Sequence, residues 1–189
     1  MKRIATLTIL LAVTFTAMAQ EATKKYEIKS GIAKTVTSVM GQQTESMSYF
    51  DDFGALEMSK TKTIVPGAGE MEIATVSKEG KMYMVNYSAK QVQEIPAQES
   101  VNYLNITEAI KEQYKIKEIG TEKIGERECL KYSMEVSQMG QTATVTTWIY
   151  KGFPLKSVTA MGRMEIVSEV IEFTEDAYVL PQTFEIPEF

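Results

Sequence analysis

The chain has 189 residues, 20 lysines and arginines against 25 acids, and a formal charge of −5. That balance excludes nucleic-acid binding, which needs clustered cations. With no histidine and one cysteine, Cys129, it lacks the usual Ser–His–Asp and Cys–His machinery, the commonest zinc ligand, a thiolate metal cluster and an internal disulfide.

The first element is a targeting segment. "MKR" is a short basic start, "IATLTILLAVTFTAM" is apolar, and Ala17 and Ala19 stand where a signal peptidase reads small residues. Residues 1–19 read as a secretory signal peptide. A membrane anchor would need about 18 or more apolar residues, and this run is shorter and broken by threonines. No cysteine follows it, so a processed N-terminal cysteine cannot be acylated. Loss of Lys2 and Arg3 takes the charge from −5 to −7, which repels anionic membrane surfaces. Residues 20–189, about 170, suit one domain with a sizeable core. None of the later segments is apolar enough to span a bilayer, so no transmembrane segment is expected after signal removal.

From about residue 24 the pattern has a period of two. "KYEIKSG" alternates and "IAKTVTSVMG" is β-branched. "ESMSYF" runs into "DDFG", "ALEMSKTKTIV" into "PGAG", and "EMEIATVS" into "KEGK" before "MYMVNY". Short runs rich in Val, Ile, Thr and Tyr that end in Gly or Pro clusters read as strands joined by hairpins. "QVQEIPAQESVNYL" reads as a loop or a short turn of helix. In "NITEAIKEQYK", residues 105–115, Ile106, Ala109, Ile110 and Tyr114 share a helical face, and Asn105 with Glu108 fits an N-capping pair.

Strands then resume as "RECLKYSMEVS", "QTATVTTWIY", "LKSVTAM" and "RMEIVSEVIEF", and the chain closes on "YVLPQTFEIPEF". The sum is a mainly β chain of roughly ten antiparallel strands and one helix. Leu130, Tyr132, Met134 and Val136 share one strand face, which should be interior, while Cys129 and Lys131 take the other. The only tryptophan, Trp148, has two possible positions. A two-residue loop at Met139–Gly140 sets it opposite Lys131 on the outer face, and a three-residue loop sets it beside Tyr132 on the inner face. A one-residue slip flips every side chain.

Chemistry-bearing clusters are few. "DDFG" offers a calcium ion only two acids on a turn. Glu126 with Glu128, and Glu175 with Asp176, are the candidate carboxylate pairs for a glycosidase. On an acidic surface such pairs carry no signal, so no catalytic residue, metal site or cofactor is assigned. What remains is apolar. Ten of the twelve methionines lie after residue 19, many within strand-like runs. Methionine suits surfaces that accept varied apolar partners. "KMYMVNY" is apolar on both faces, with Met82 and Met84 on one and Tyr83, Val85 and Tyr87 on the other.

Several segments carry a resemblance. "TTWIYKGFPLKS" is a Trp-bearing strand, a turn, and Pro-Leu-Lys entering the next strand. "YFDDFGALE" is an early strand–turn–strand element, "GTEKIGERECLKYSMEV" a Gly-led hairpin entering a central strand, and "TFEIPEF" a closing Phe-x-Ile-Pro element. Together they resemble the LolA/LolB-like superfamily of exported half-barrels that carry lipoproteins or other lipids. Closer still, they resemble a family of exported domains of unknown function from Bacteroidetes-type bacteria.

The resemblance implies a curved antiparallel sheet, an unclosed barrel around an apolar cavity, with helix 105–115 as a partial lid. It implies a non-catalytic periplasmic carrier for lipid or acylated protein, whose cavity wall would draw on Leu130, Tyr132, Met134, Val136, Met82, Met84 and Trp148. LolA also uses an inward arginine for release. Here the candidates are Arg127 and Arg163, both near predicted turns, and neither is assigned that role. The alternative function is an interaction or sensor module of the cell envelope, with an uncharged sheet edge near "YVLPQTFEIPEF" accepting a partner strand.

Overall fold

The computed structural model describes residues 24–65, 69–96, 101–138 and 141–189. The signal-peptide reading therefore lies outside the described residues, as does the Met139–Gly140 turn itself. One antiparallel sheet of eleven strands dominates. Its strands are β1 (Gly31–Val39), β2 (Gln42–Asp51), β3 (Leu56–Val65), β4 (Gly69–Lys78), β5 (Lys81–Asn86) and β6 (Gln91–Ile95). After the helix α1 (Glu108–Tyr114) come β7 (Lys117–Ile124), β8 (Arg127–Gln138), β9 (Gln141–Tyr150), β10 (Phe153–Met161) and β11 (Met164–Glu175).

The spatial order is β6-β5-β4-β3-β2-β1-β11-β10-β9-β8-β7. Two meanders thus join where β1 pairs with β11, and β6 and β7 are the two unpaired edges. The sheet curls strongly. Strands β4 and β10 stand five places apart, roughly 24 Å in a flat sheet. Yet Thr75 and Ser77 of β4 line the same small cavity as Ser157 of β10. The unclosed barrel that the resemblance implied is therefore present, with one strand more than the rough count of ten.

The extra strand is β6. Its sequence, "QVQEI", reads as loop because four of its five side chains are exposed and three are Gln or Glu. Backbone pairing with β5, from Met82↔Ile95 to Asn86↔Gln91, makes it a strand regardless. The opposite error occurs at residues 25–30. Tyr26, Ile28 and Ser30 are buried in alternation, as the pattern implied, but the segment forms no ladder. It is strapped between two hairpin ends: Lys25 N and Tyr26 N donate to Phe53 O, and Glu27 N donates to Lys151 O at 2.9 Å.

Those two hairpin ends explain two glycines. Gly54 (φ +88°) and Gly152 (φ +85°) hold backbone conformations that L side chains rarely adopt. A Cβ on Gly54 would lie 2.8 Å from the Tyr26 ring, and one on Gly152 would strike the Lys25 carbonyl oxygen. "DDFG" is thus a clamp on the strap as well as a turn.

The helix is shorter than residues 105–115. Asn105 N donates to Asn102 O at 3.1 Å, closing a turn that keeps Asn105 out of the helix. Thr107 is the N-cap instead, its hydroxyl accepting from Ile110 N at 3.3 Å. Lys115, in the left-handed region, ends it. The C-terminal run "YVLPQTFEIPEF" is neither strand nor edge. It holds a 3-10 turn, Pro181–Phe184, and packs against β3 and β4. Pro181 and Pro187 lack the N–H groups that a ladder needs.

Three apolar clusters result. Tyr26, Phe50, Phe153 and Leu155 anchor the first. In the second, Val179 and Phe184 of the tail cover Met58, Val76 and Val85 on one face of β3–β5. In the third, Ile106, Ile110 and Tyr114 of the helical segment pack on Tyr132, Met134 and Ile149 on the opposite face of β8 and β9.

Candidate ligand-binding hollow

The curl leaves a hollow on the inner face. A cavity of about 340 Å³ lies against β1–β5, β10 and β11. A larger one of about 1130 Å³ extends it toward β8, β9 and the helical segment. The two share Tyr26, Glu57, Ser77, Met82, Pro154 and Ser157. Their volumes reach the range of small-molecule sites.

One end of the hollow is closed by aromatic rings. Phe153 stacks on Phe173 with centroids 4.8 Å apart and on Phe50 at 5.2 Å, and Tyr26 meets Phe50 edge-on at 4.8 Å. Phe50 pairs with Gly31 across β2 and β1, and its ring covers that glycine so closely that a Cβ would lie 2.6 Å from it. Tyr26 also donates its hydroxyl to Glu57, which binds Lys25 as well. Burial, reinforced by Glu57, pushes the Tyr26 phenol well above its usual value. Toward the opposite, hairpin end the side chains become exposed, as at Met40 (86%) and Ile64 (81%).

The residues singled out from sequence divide between the faces. Met82, Met134 and Val136 line the hollow. Tyr132 shares their face but is buried beneath the helical segment, with Tyr103 5.3 Å away. Burial lifts the Tyr103 phenol to about 12. Met84 is also on the inner face, opposite Thr75, and is partly exposed. Leu130 lies on the Tyr132 face but is 41% exposed, contrary to its expected interior position. The cover from residues 101–116 packs on Tyr132 and Met134 and stops short of it.

Trp148 lies on the other face. The pair Gln138↔Gln141 leaves two residues between β8 and β9, and this register sets Trp148 opposite Lys131. Its ring lies between two cations, Lys131 Nζ 4.5 Å and Lys156 Nζ 5.6 Å from its centroid. Glu122 pairs with Lys131 at 2.9 Å and Glu169 with Lys156 at 3.2 Å, completing a ladder across five strands. Trp148 is only 7% exposed, and its buried Nε1 makes no hydrogen bond of normal geometry. Its N–H dipole still adds to the effect of Lys131, which holds the Glu122 carboxyl below its usual value. Cys129, which alternation sets on the face away from the expected interior, is 0% exposed on the Lys131 side. Both faces of β8 are therefore packed, where sequence alternation implied only one.

Arg127 is no inward arginine. Its Nε donates to Glu175 at 3.3 Å and a terminal nitrogen donates to Phe173 O at 3.2 Å, while its guanidinium covers the Phe173 ring at 5.2 Å. Lys151 binds the same carboxylate at 2.9 Å. Burial opposes the Glu175 charge, but the two cations outweigh it and hold the carboxyl below its usual value. Among the described residues no group of three or more acids or cysteines is placed to hold a metal ion. No helix there is long and apolar enough to cross a membrane.

No protein-family model matches the chain, and no curated protein matches it in sequence. Solved structures do. An uncharacterized conserved protein of Thermus thermophilus aligns at a TM-score of 0.58 and 16% identity, over 86% of this chain and 88% of that one. The MucA/MucB complex of Pseudomonas aeruginosa aligns at 0.54 and 13% identity, over 86% of this chain and 57% of the other. These alignments show a shared fold, an antiparallel sheet curled into an unclosed half-barrel. A putative outer membrane lipoprotein-sorting protein domain from Vibrio parahaemolyticus is similar at a TM-score of 0.44 and 10% identity, over 85% and 91%.

Proposed function

We propose that this protein is a non-catalytic binding or carrier protein that holds the apolar part of a lipid or acylated molecule in its hollow. The observation that carries this reading is the hollow itself. It is closed at one end by Phe50 and Phe153, walled by Leu155, Val170 and Met82, and reaches from the inner face of β4 to that of β9. Burying a chain there contributes about 0.8 kcal/mol per methylene without a specific polar partner. Methionine side chains adapt to chains of different shape.

Residues 1–19, read as a signal peptide, support export to the periplasm. The mature chain would then begin at Gln20, forming a single half-barrel domain over residues 20–189. Native mass spectrometry on protein purified from the cell envelope, followed by organic extraction, tests both points. The expected result is a mass beginning at Gln20 with a co-purifying lipid. A clean apo mass from folded protein would contradict the carrier reading.

A second reading has its own observation. The edges β6 and β7 carry unpaired backbone groups that a partner strand could bind, and MucB, similar in fold, has been solved together with MucA. The charged and bulged β7, with Gly120 at φ +122°, is the better-guarded edge, which leaves β6 for the partner. Crosslinking in cells through a photoreactive residue at Gln93 should then capture a protein. Recovery of no protein partner would end this reading.

A further inference from the structure

The inner face is not uniformly apolar. Cross-strand register sets Thr75, Ser59 and Ser48 side by side on β4, β3 and β2. It also aligns Thr37, Ser168 and Ser157 on β1, β11 and β10. The two rows reach β1 four residues apart, at Ala33 and Thr37, but their members Ser48, Ser59, Thr75, Ser157 and Ser168 line one cavity, a band of hydroxyls beside the aromatic floor at Phe50. The bonds that engage the band run between its own members, Thr37 with Ser168 at 2.9 Å and Ser48 to Ser59 at 3.4 Å. A hydroxyl has one donor and two acceptor positions, so each bonded pair keeps capacity for a third group.

The charges point the same way. The lysines that border the two cavities are Lys25 and Lys156, and the Lys156 side chain turns to the outer face beside Trp148. Lys25 is bound by Glu57, and Lys156 pairs with Glu169 at 3.2 Å. A carboxylate or phosphate drawn into the hollow would meet no cation without an acid of its own among the described residues, and burying an unpaired charge is costly. Neutral hydrogen-bonding groups would meet donors and acceptors already aligned.

We infer that the hollow selects an uncharged amphiphile, an acyl chain joined to an ester, amide or hydroxyl group that lies against the hydroxyl band, over a free fatty acid. This rests on the carrier reading above. The chain occupies the apolar wall, the linkage meets Ser48, Ser59, Thr75 and Ser157, and any charged headgroup stays outside.

The test compares two twelve-carbon probes, monolauroylglycerol and laurate, by titration calorimetry on mature protein at about pH 8, below their micelle concentrations. Monolauroylglycerol should bind at least about tenfold more tightly, the scale of one or two hydrogen bonds to a buried polar group. Thr75→Val and Ser157→Ala, each checked by circular dichroism for native fold, should erase most of that preference by weakening monolauroylglycerol more than laurate. Equal affinities, tighter laurate binding, or a preference that survives both substitutions would overturn the inference while the carrier reading stands. Binding of neither probe would overturn both.

Discussion

The two halves of the sheet are covered on opposite faces. In the half containing β3, β4 and β5, the outer face is sealed by the C-terminal tail, which contributes the buried Val179 and Phe184. Its inner face, with Ser59, Thr75 and Met82, is left to the hollow. In the half containing β8 and β9 the order is reversed. Its inner face lies under the helical segment, and its outer face is guarded by the Glu122–Lys131–Trp148–Lys156–Glu169 ladder. The covers also differ in grip, since α1 contributes no buried residue. The tail is built into the core, whereas the helical cover rests on the rim of the hollow.

This contrast sets the sizes of the expected effects. Phe184→Ala removes a ring that is 2% exposed and should destabilise the protein by about 3–5 kcal/mol in urea unfolding. Ile110→Ala on the helical cover should cost only about 1–2 kcal/mol, because Ile110 is partly buried. A cost above that of Phe184→Ala would refute the comparison. Trp148→Phe should cost about 1 kcal/mol or less by thermal unfolding, since the indole Nε1 has no hydrogen bond to lose and a phenyl ring still lies between Lys131 and Lys156.

Acid should produce the smallest change. Glu72, held mainly by Lys60, and Glu175 both have depressed folded-state pKa values. Their stabilisation is present above the unfolded-state pKa of about 4.3 and is lost as pH falls through the lower folded value. The melting temperature should therefore be flat from about pH 6 to 8 and decline below about pH 4.5. Glu72→Gln with Glu175→Gln should flatten part of that decline.

Much of the fold was legible because period-two burial is a direct imprint of a half-covered sheet. Tyr132 and Met134 were correctly grouped on one face. The same logic missed Cys129, since it allows one buried face per strand and β8 has two. It also missed β6, whose polar side chains carry no burial signal although its backbone pairs with β5. Residues 25–30 misled in the opposite way, alternating in burial without a partner strand. Within the hollow, Met82, Met134 and Val136 were visible as apolar wall positions. The hydroxyl band was not, because Thr75, Ser59 and Ser48 come together only through register across three strands. The facing of Trp148 depended on a single residue of loop length.

The most direct test is photocrosslinking of the mature protein with a neutral acyl lipid bearing a diazirine on its chain, with labelled sites read by peptide mass spectrometry. The predicted labels fall on the inner face, at Ser59, Thr75, Met82 and Leu155. Labels confined to the tail around Phe184, to the ladder around Trp148 or to the edge strand at Gln93 would contradict a ligand held in the hollow.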